Sequence, residues 1–120
     1  MQVRSSGSAT WLWLIQAGFG VALVVLLAIH LIVNHWSAPQ GLLTYEDVLH
    51  YYDVPGVAWM EALFLIVVTG HCLLGIHGIL LDLNMQPELT RLFTLLLILA
   101  GGVAVLYGVW LIRTVVLLSA

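Results

Sequence analysis

Three uninterrupted apolar runs dominate this 120-residue chain: Trp11 to about Val33, Val57 to about Leu83, and Leu92 to about Leu118. Each is long enough for a helix to cross roughly 30 Å of hydrocarbon, which takes about 20 apolar residues. Nothing else in the sequence restricts the fold as strongly, because backbone in lipid must satisfy its own hydrogen bonds and helices do so within one segment. Composition agrees: 62% of residues are hydrophobic and 8% charged, whereas soluble domains carry about 25% charged residues. The chain reads as an all-α membrane protein, one domain over residues 1–120 with three transmembrane helices surrounded by the lipid bilayer.

The breaks between the runs are informative. Residues 34–56 hold Pro39, Gly41, Pro55 and Gly56 around an amphipathic piece from Tyr45 to Tyr52, which predicts a short helix on the membrane surface. Residues 84–91 read as a tight turn with Pro87 opening the third helix. Arg4 and Arg91 fall on one side of the membrane and Arg113 on the other. The excess of positive charge predicts a cytoplasmic N-terminus in a multi-pass protein of the cell (inner) membrane. Most of the five tryptophans lie near span ends, as an interfacial belt would. Gly101, Ala104 and Gly108 share one stripe of the third span and predict close helix contact.

Several function classes are disfavoured. No basic run suggests nucleic acid. Cys72 is the single cysteine, so there is no internal disulfide, and neither a CxxC nor a CxxCH motif points to structural zinc or covalent haem. The first apolar run is as long as a span and no small-residue cleavage site ends it, so it reads as a helix that stays rather than a secretion signal.

The second span carries the chemistry. In GHCLLGIHGILLDL, residues 70–83, His71, Gly75, Gly78 and Asp82 fall within about 60° of arc at about 100° per residue. The glycines remove side chains beside the histidine, which suits either a neighbouring helix or a flat rigid ligand. Haem satisfies both halves, with iron on the imidazole and the macrocycle over the glycines. A histidine hydrogen-bonded to a neighbouring helix, with Gly-x-x-Gly as contact surface, accounts for the same residues. His77 lies about 120° from this stripe and would meet a propionate, a headgroup or nothing but the interface. Asp82 ends the span where a carboxylate reaches water. His30, in the first span, lies roughly 10 Å outward of the midplane, and His71 lies near it. Axial nitrogens on one iron are about 4 Å apart, from two bonds of roughly 2 Å, so the two histidines serve different irons or none. His35 and His50 read as solvated residues of the external loop. Glu61 reads as a buried hydrogen-bond acceptor near the outer interface.

His71-x3-Gly75-x-His77-x4-Asp82 resembles the H-x3-G-x-R-x4-D pattern of the cytochrome b membrane anchors of succinate dehydrogenase and fumarate reductase. The likeness continues upstream without gaps: Thr44, Tyr45, Val48, Leu49, Tyr52, Pro55, Met60 and Glu61 look like the loop and second-span start of actinobacterial-type anchors, and His30, ten residues after Gly20, matches an anchor histidine near the end of span one. The resemblance covers roughly Gly20 to Asp82. It implies half of a heterodimeric anchor bundle, in a heterotetramer with a second membrane anchor subunit, an iron–sulfur subunit and a flavoprotein subunit. Trimers of such heterotetramers are one arrangement open to it. It further implies one or two haem b groups shared with the partner anchor, and membrane quinone as substrate at the interface. Carried over onto this chain, His71 is a haem iron ligand and His30 the ligand of a second haem where there is one. Gly75, Gly78 and His77 border the cofactor, and Asp82 is quinone-proximal. The chain departs from the pattern in three places. IQAGFG replaces the large anchor's His-Arg-x-Ser-Gly, keeping only Gly20; Leu83 stands where small anchors often have tyrosine; and His77 replaces arginine. These point to the smaller anchor, with quinone chemistry mostly on its partner. The chain would be non-catalytic alone.

Three other readings compete. A haem-free structural anchor would tether the same partners. A dihaem b-type cytochrome subunit of another quinone-linked oxidoreductase would use the same histidines. A small multidrug-type transporter would use Glu61, but that class wants four spans.

Overall fold

The computed structural model describes residues 6–41 and 44–120. Four helices account for nearly all of them: α1 (Ser6–Ser37), α2 (Tyr45–Asp53), α3 (Val57–Asp82) and α4 (Pro87–Ser119). Among the described residues there is no strand. α1, α3 and α4 are each long and apolar enough to cross a membrane, and the molecule is a rod of 61 × 25 × 20 Å. Arg4 lies outside the described residues.

Local chemistry sets the boundaries. α1 runs on through His35 and Trp36 to Ser37, four residues past the expected end of the apolar run. Nothing breaks the helix until Pro39, which disfavours helical backbone at the residue before it. His35 is therefore an exposed helical residue, while His50 sits exposed on α2. Thr44 and Asp47 close a capping box on α2: the Thr44 hydroxyl accepts from the Asp47 amide at 3.2 Å and the Asp47 carboxylate from the Thr44 amide at 2.8 Å. Gly56, at φ 89°, supplies the left-handed turn that admits the chain to α3. Asn84, at φ 48°, caps the far end of α3 in the same way, and Pro87 opens α4.

α3 is the central helix. It packs along both α1 and α4, whereas no Cα of α1 comes within 8 Å of one in α4 among the described residues. Glycine makes the α3–α4 approach close. A Cβ on Gly101 would stand 2.4 Å from Leu73, and one on Gly108 would stand 2.4 Å from Leu65, so the leucines of α3 seat where α4 lacks side chains. The two glycines of the expected stripe thus pack against a helix. α2 lies across the loop end of the bundle against α4, α3 and α1, burying Tyr51.

Candidate functional site

α1 and α3 run antiparallel in one register, and every chemistry-bearing residue follows from it. Gln16 faces Gly75, with its Nε2 3.1 Å from where a Cβ of that glycine would sit; Gly20 faces His71, 3.3 Å from its Cε1 by the same measure; and His30 faces Glu61 at hydrogen-bond distance. Four residues up α1 from Gln16 to Gly20 match four back along α3 from Gly75 to His71. The ten from Gly20 to His30 likewise match the ten from His71 to Glu61. At about 1.5 Å per residue, His30 and His71 lie about 15 Å apart along the bundle. That is more than the roughly 10 Å expected from span lengths, and far beyond the reach of one iron.

At the loop end, His30 Nδ1 meets Glu61 Oε1 at 2.7 Å, and the Tyr51 hydroxyl donates to that same oxygen. Phe64, three residues after Glu61, stacks on the His30 ring with centroids 5.3 Å apart and planes 28° apart. Burial first, and then the hydrogen bond to Glu61, hold the Tyr51 phenol above its usual range, so it stays a donor. Glu61 is the acceptor expected from the sequence. Its two donors, and the closing of α1, α2 and α3 around it, were not foreseen. The available signal was that an ionisable group inside a span needs a partner at its own depth. His30 sits at that depth on the preceding helix.

Ten residues further along α3, His71 lies in the α1–α3 seam with Nδ1 buried and without a hydrogen-bond partner. Apolar surroundings make such an orphan costly. The stripe below it is divided: the Gln16 side chain lies against Gly75, while nothing stands within 4 Å of the Cβ position of Gly78. Gln16 Oε1 is also buried and unpartnered. Towards the α3–α4 turn the seam opens into a groove of about 510 Å³ lined by Trp13, Gln16, His77, Gly78 and Asp82 among others. On its other side His77 borders a more apolar groove of about 450 Å³ where α3 lies between α1 and α4, beside Phe19, Leu73 and Thr94. Asp82 itself is exposed at the end of α3. No local pattern marks Gln16, which becomes notable only because α1 turns it into the seam.

Among the described residues no three His, Cys, Asp or Glu side chains gather to hold a metal ion. A metal held here would take most of its ligands from outside the chain's own side chains. Haem meets that condition, and the two histidines fit it differently. His30 has one nitrogen committed to a carboxylate, the usual arrangement behind a metal-bound imidazole. His71 has a buried nitrogen that the chain leaves unsatisfied.

Residues 1–109 match the family model described as succinate dehydrogenase/fumarate reductase transmembrane subunit. The succinate dehydrogenase hydrophobic membrane anchor subunit of Archaeoglobus fulgidus is 29% identical over 103 residues, covering 86% of this chain and 87% of that protein. No solved structure matches the chain.

Proposed function

The chain belongs to the succinate dehydrogenase/fumarate reductase transmembrane subunit family, and from that premise we propose that it is the smaller, haem b-binding anchor of a succinate dehydrogenase. In this reading it docks the flavoprotein and iron–sulfur subunits on the cytoplasmic side and, with a second anchor, helps to pass electrons to membrane quinone. The observation that carries the proposal is the placement of His30 and His71 on one α1–α3 seam, too far apart for one iron and each without a second histidine of this chain opposite it. Bound haem b supplies a one-electron carrier within the membrane.

This chain's own residues have separable tasks. His71 would hold one iron near the middle of the bundle through Nε2, since its Nδ1 is buried within the α1–α3 seam. His30 holds a second iron near the loop end, through the nitrogen that Glu61 leaves free. Gly78, with open space beside it, leaves room for a flat ring system. Gln16, His77 and Asp82 put an amide, an imidazole and a carboxylate around one groove, which suits the two oxygens and the proton needs of a quinone headgroup. Arg4 and Arg91 on one side of the sequence's spans, against Arg113 on the other, support a cytoplasmic position for that groove, where the iron–sulfur partner would dock.

The test is a reduced-minus-oxidised optical spectrum of the purified complex, with identification of the copurifying subunits. His71→Ala is expected to remove one haem component and His30→Ala another. Loss of all haem in both variants would mean one shared haem or failed assembly. A complex with the flavoprotein and iron–sulfur subunits but no haem band would make this a structural anchor.

A further inference from the structure

Glu61 receives two donors on a single oxygen, and they come from two other elements: His30 on α1 and Tyr51 on α2. The His30 ring is fixed twice, by Phe64 against its face and by Glu61 at Nδ1. An imidazole that donates from Nδ1 presents its lone pair at Nε2. A carboxylate on the far nitrogen sets the tautomer and angle of a ligating histidine and makes it a stronger base. Tyr51 competes for the oxygen that does this, and it is buried at 2% exposure, so water does not displace it.

We propose that Glu61 is the positioning residue that orients His30 as an axial ligand, and that Tyr51 moderates how strongly Glu61 draws on the His30 Nδ1–H. This rests on the reading that His30 holds a haem iron. The chemistry has a sign. The more the carboxylate draws on Nδ1–H, the more electron-rich the imidazole becomes, and the more it favours ferric over ferrous iron. Glu61→Gln keeps an oxygen that can accept from Nδ1 but removes its charge, so the potential at His30 rises. Tyr51→Phe removes the competing donor, so Oε1 serves His30 alone and the potential falls. A cluster that merely ties three helices together would alter assembly or thermal stability, without opposite shifts in potential.

The experiment is an optical redox titration of the whole purified complex, comparing wild type with Glu61→Gln, Tyr51→Phe, His30→Ala and His71→Ala. The component that His30→Ala removes is expected to move to higher potential in Glu61→Gln and to lower potential in Tyr51→Phe. The component that His71→Ala removes should stay in place in both. If His30→Ala removes no component, the haem reading at His30 fails. If it removes one, yet neither Glu61→Gln nor Tyr51→Phe moves that component, the haem reading stands and the positioning role is overturned. Should Glu61→Gln fail to assemble, Tyr51→Phe decides alone: a fall supports the proposal and an unchanged potential ends it.

Discussion

A Cβ on Gly101 would meet three atoms of Leu73, at 2.4, 3.1 and 3.2 Å, while one on Gly108 would meet Leu65 at 2.4, 3.4 and 3.5 Å and one on Gly102 would meet nothing within 4 Å. The ranking of three alanine substitutions follows. Gly101→Ala forces the whole head of Leu73 to shift and should destabilise by about 1–3 kcal/mol, the usual cost of overpacking. Gly108→Ala should cost less, because Leu65 meets the new methyl with one terminal carbon. Gly102→Ala should be neutral or stabilising by up to about 1 kcal/mol, since alanine is the better helix former. Thermal unfolding in detergent measures all three. Adding Leu73→Ala to Gly101→Ala should recover part of the loss, as residues in contact couple. Equal losses at positions 101 and 102 would mean that helix propensity, and not the Leu73 contact, governs the site. In the α1–α3 seam, Gly75→Leu would first displace Gln16, whose Nε2 stands 3.1 Å from the Cβ position. The variant should disturb the groove beside Gln16 as well as any ligand over the stripe, without removing a histidine. Its check is the haem spectrum read beside quinone affinity, and a change in neither would clear Gly75 of any role.

Helix α2 shows how a short polar element is held on an apolar bundle. Nine residues are too few to be helical on their own. The capping box satisfies the first turn, and burial of Tyr51 against the spans fixes the opposite face. Thr44→Ala removes the cap oxygen and should cost about 0.5–2 kcal/mol, spent locally on fraying α2. Hydrogen–deuterium exchange should therefore rise over residues 45–53 and stay unchanged over α3. Equal protection in the variant would show that tertiary contacts alone hold α2. The same element carries the hydroxyl that reaches Glu61, so the order of a surface helix bears directly on a site inside the membrane.

At the scale of the whole molecule, the missing interior is the main fact. Tyr51, Val57 and Val67 are the buried hydrophobic side chains among the described residues, whereas Trp36 is 80% and Trp59 83% exposed. Three helices in a row, with α3 between α1 and α4, cannot enclose a core. Lipid and other subunits must cover what remains, as befits a membrane anchor of a complex. Two outcomes are expected. With exposed Cys72 first replaced by serine, a cysteine at Gln86 in the α3–α4 turn should label from the cytoplasmic face; labelling only from the opposite face would invert the proposed orientation. The chain purified without other subunits should oxidise no succinate in the presence of quinone. Turnover by a preparation shown to lack them would place catalytic groups on this chain.

The sequence by itself determined the number of spans, the short helix between the first two, the turn at Pro87 and the family, because each depends on composition or on residues near one another in the chain. A run of about 20 apolar residues has one stable form in lipid, whatever its neighbours do. The motif around His71 was equally legible, since helical spacing alone puts it on one face. What the tertiary structure decided is which face meets which helix. Register between α1 and α3 depends on side chains fitting across the seam, such as Gly20 against His71 and Phe19 against Gly70, and no local pattern encodes it. That register turned Gln16 into the seam, divided the glycine stripe into a covered and an open half, and placed His30 opposite Glu61 with Tyr51 above them. A charge inside lipid must find its partner at its own depth, and depth is a property of the packed helices.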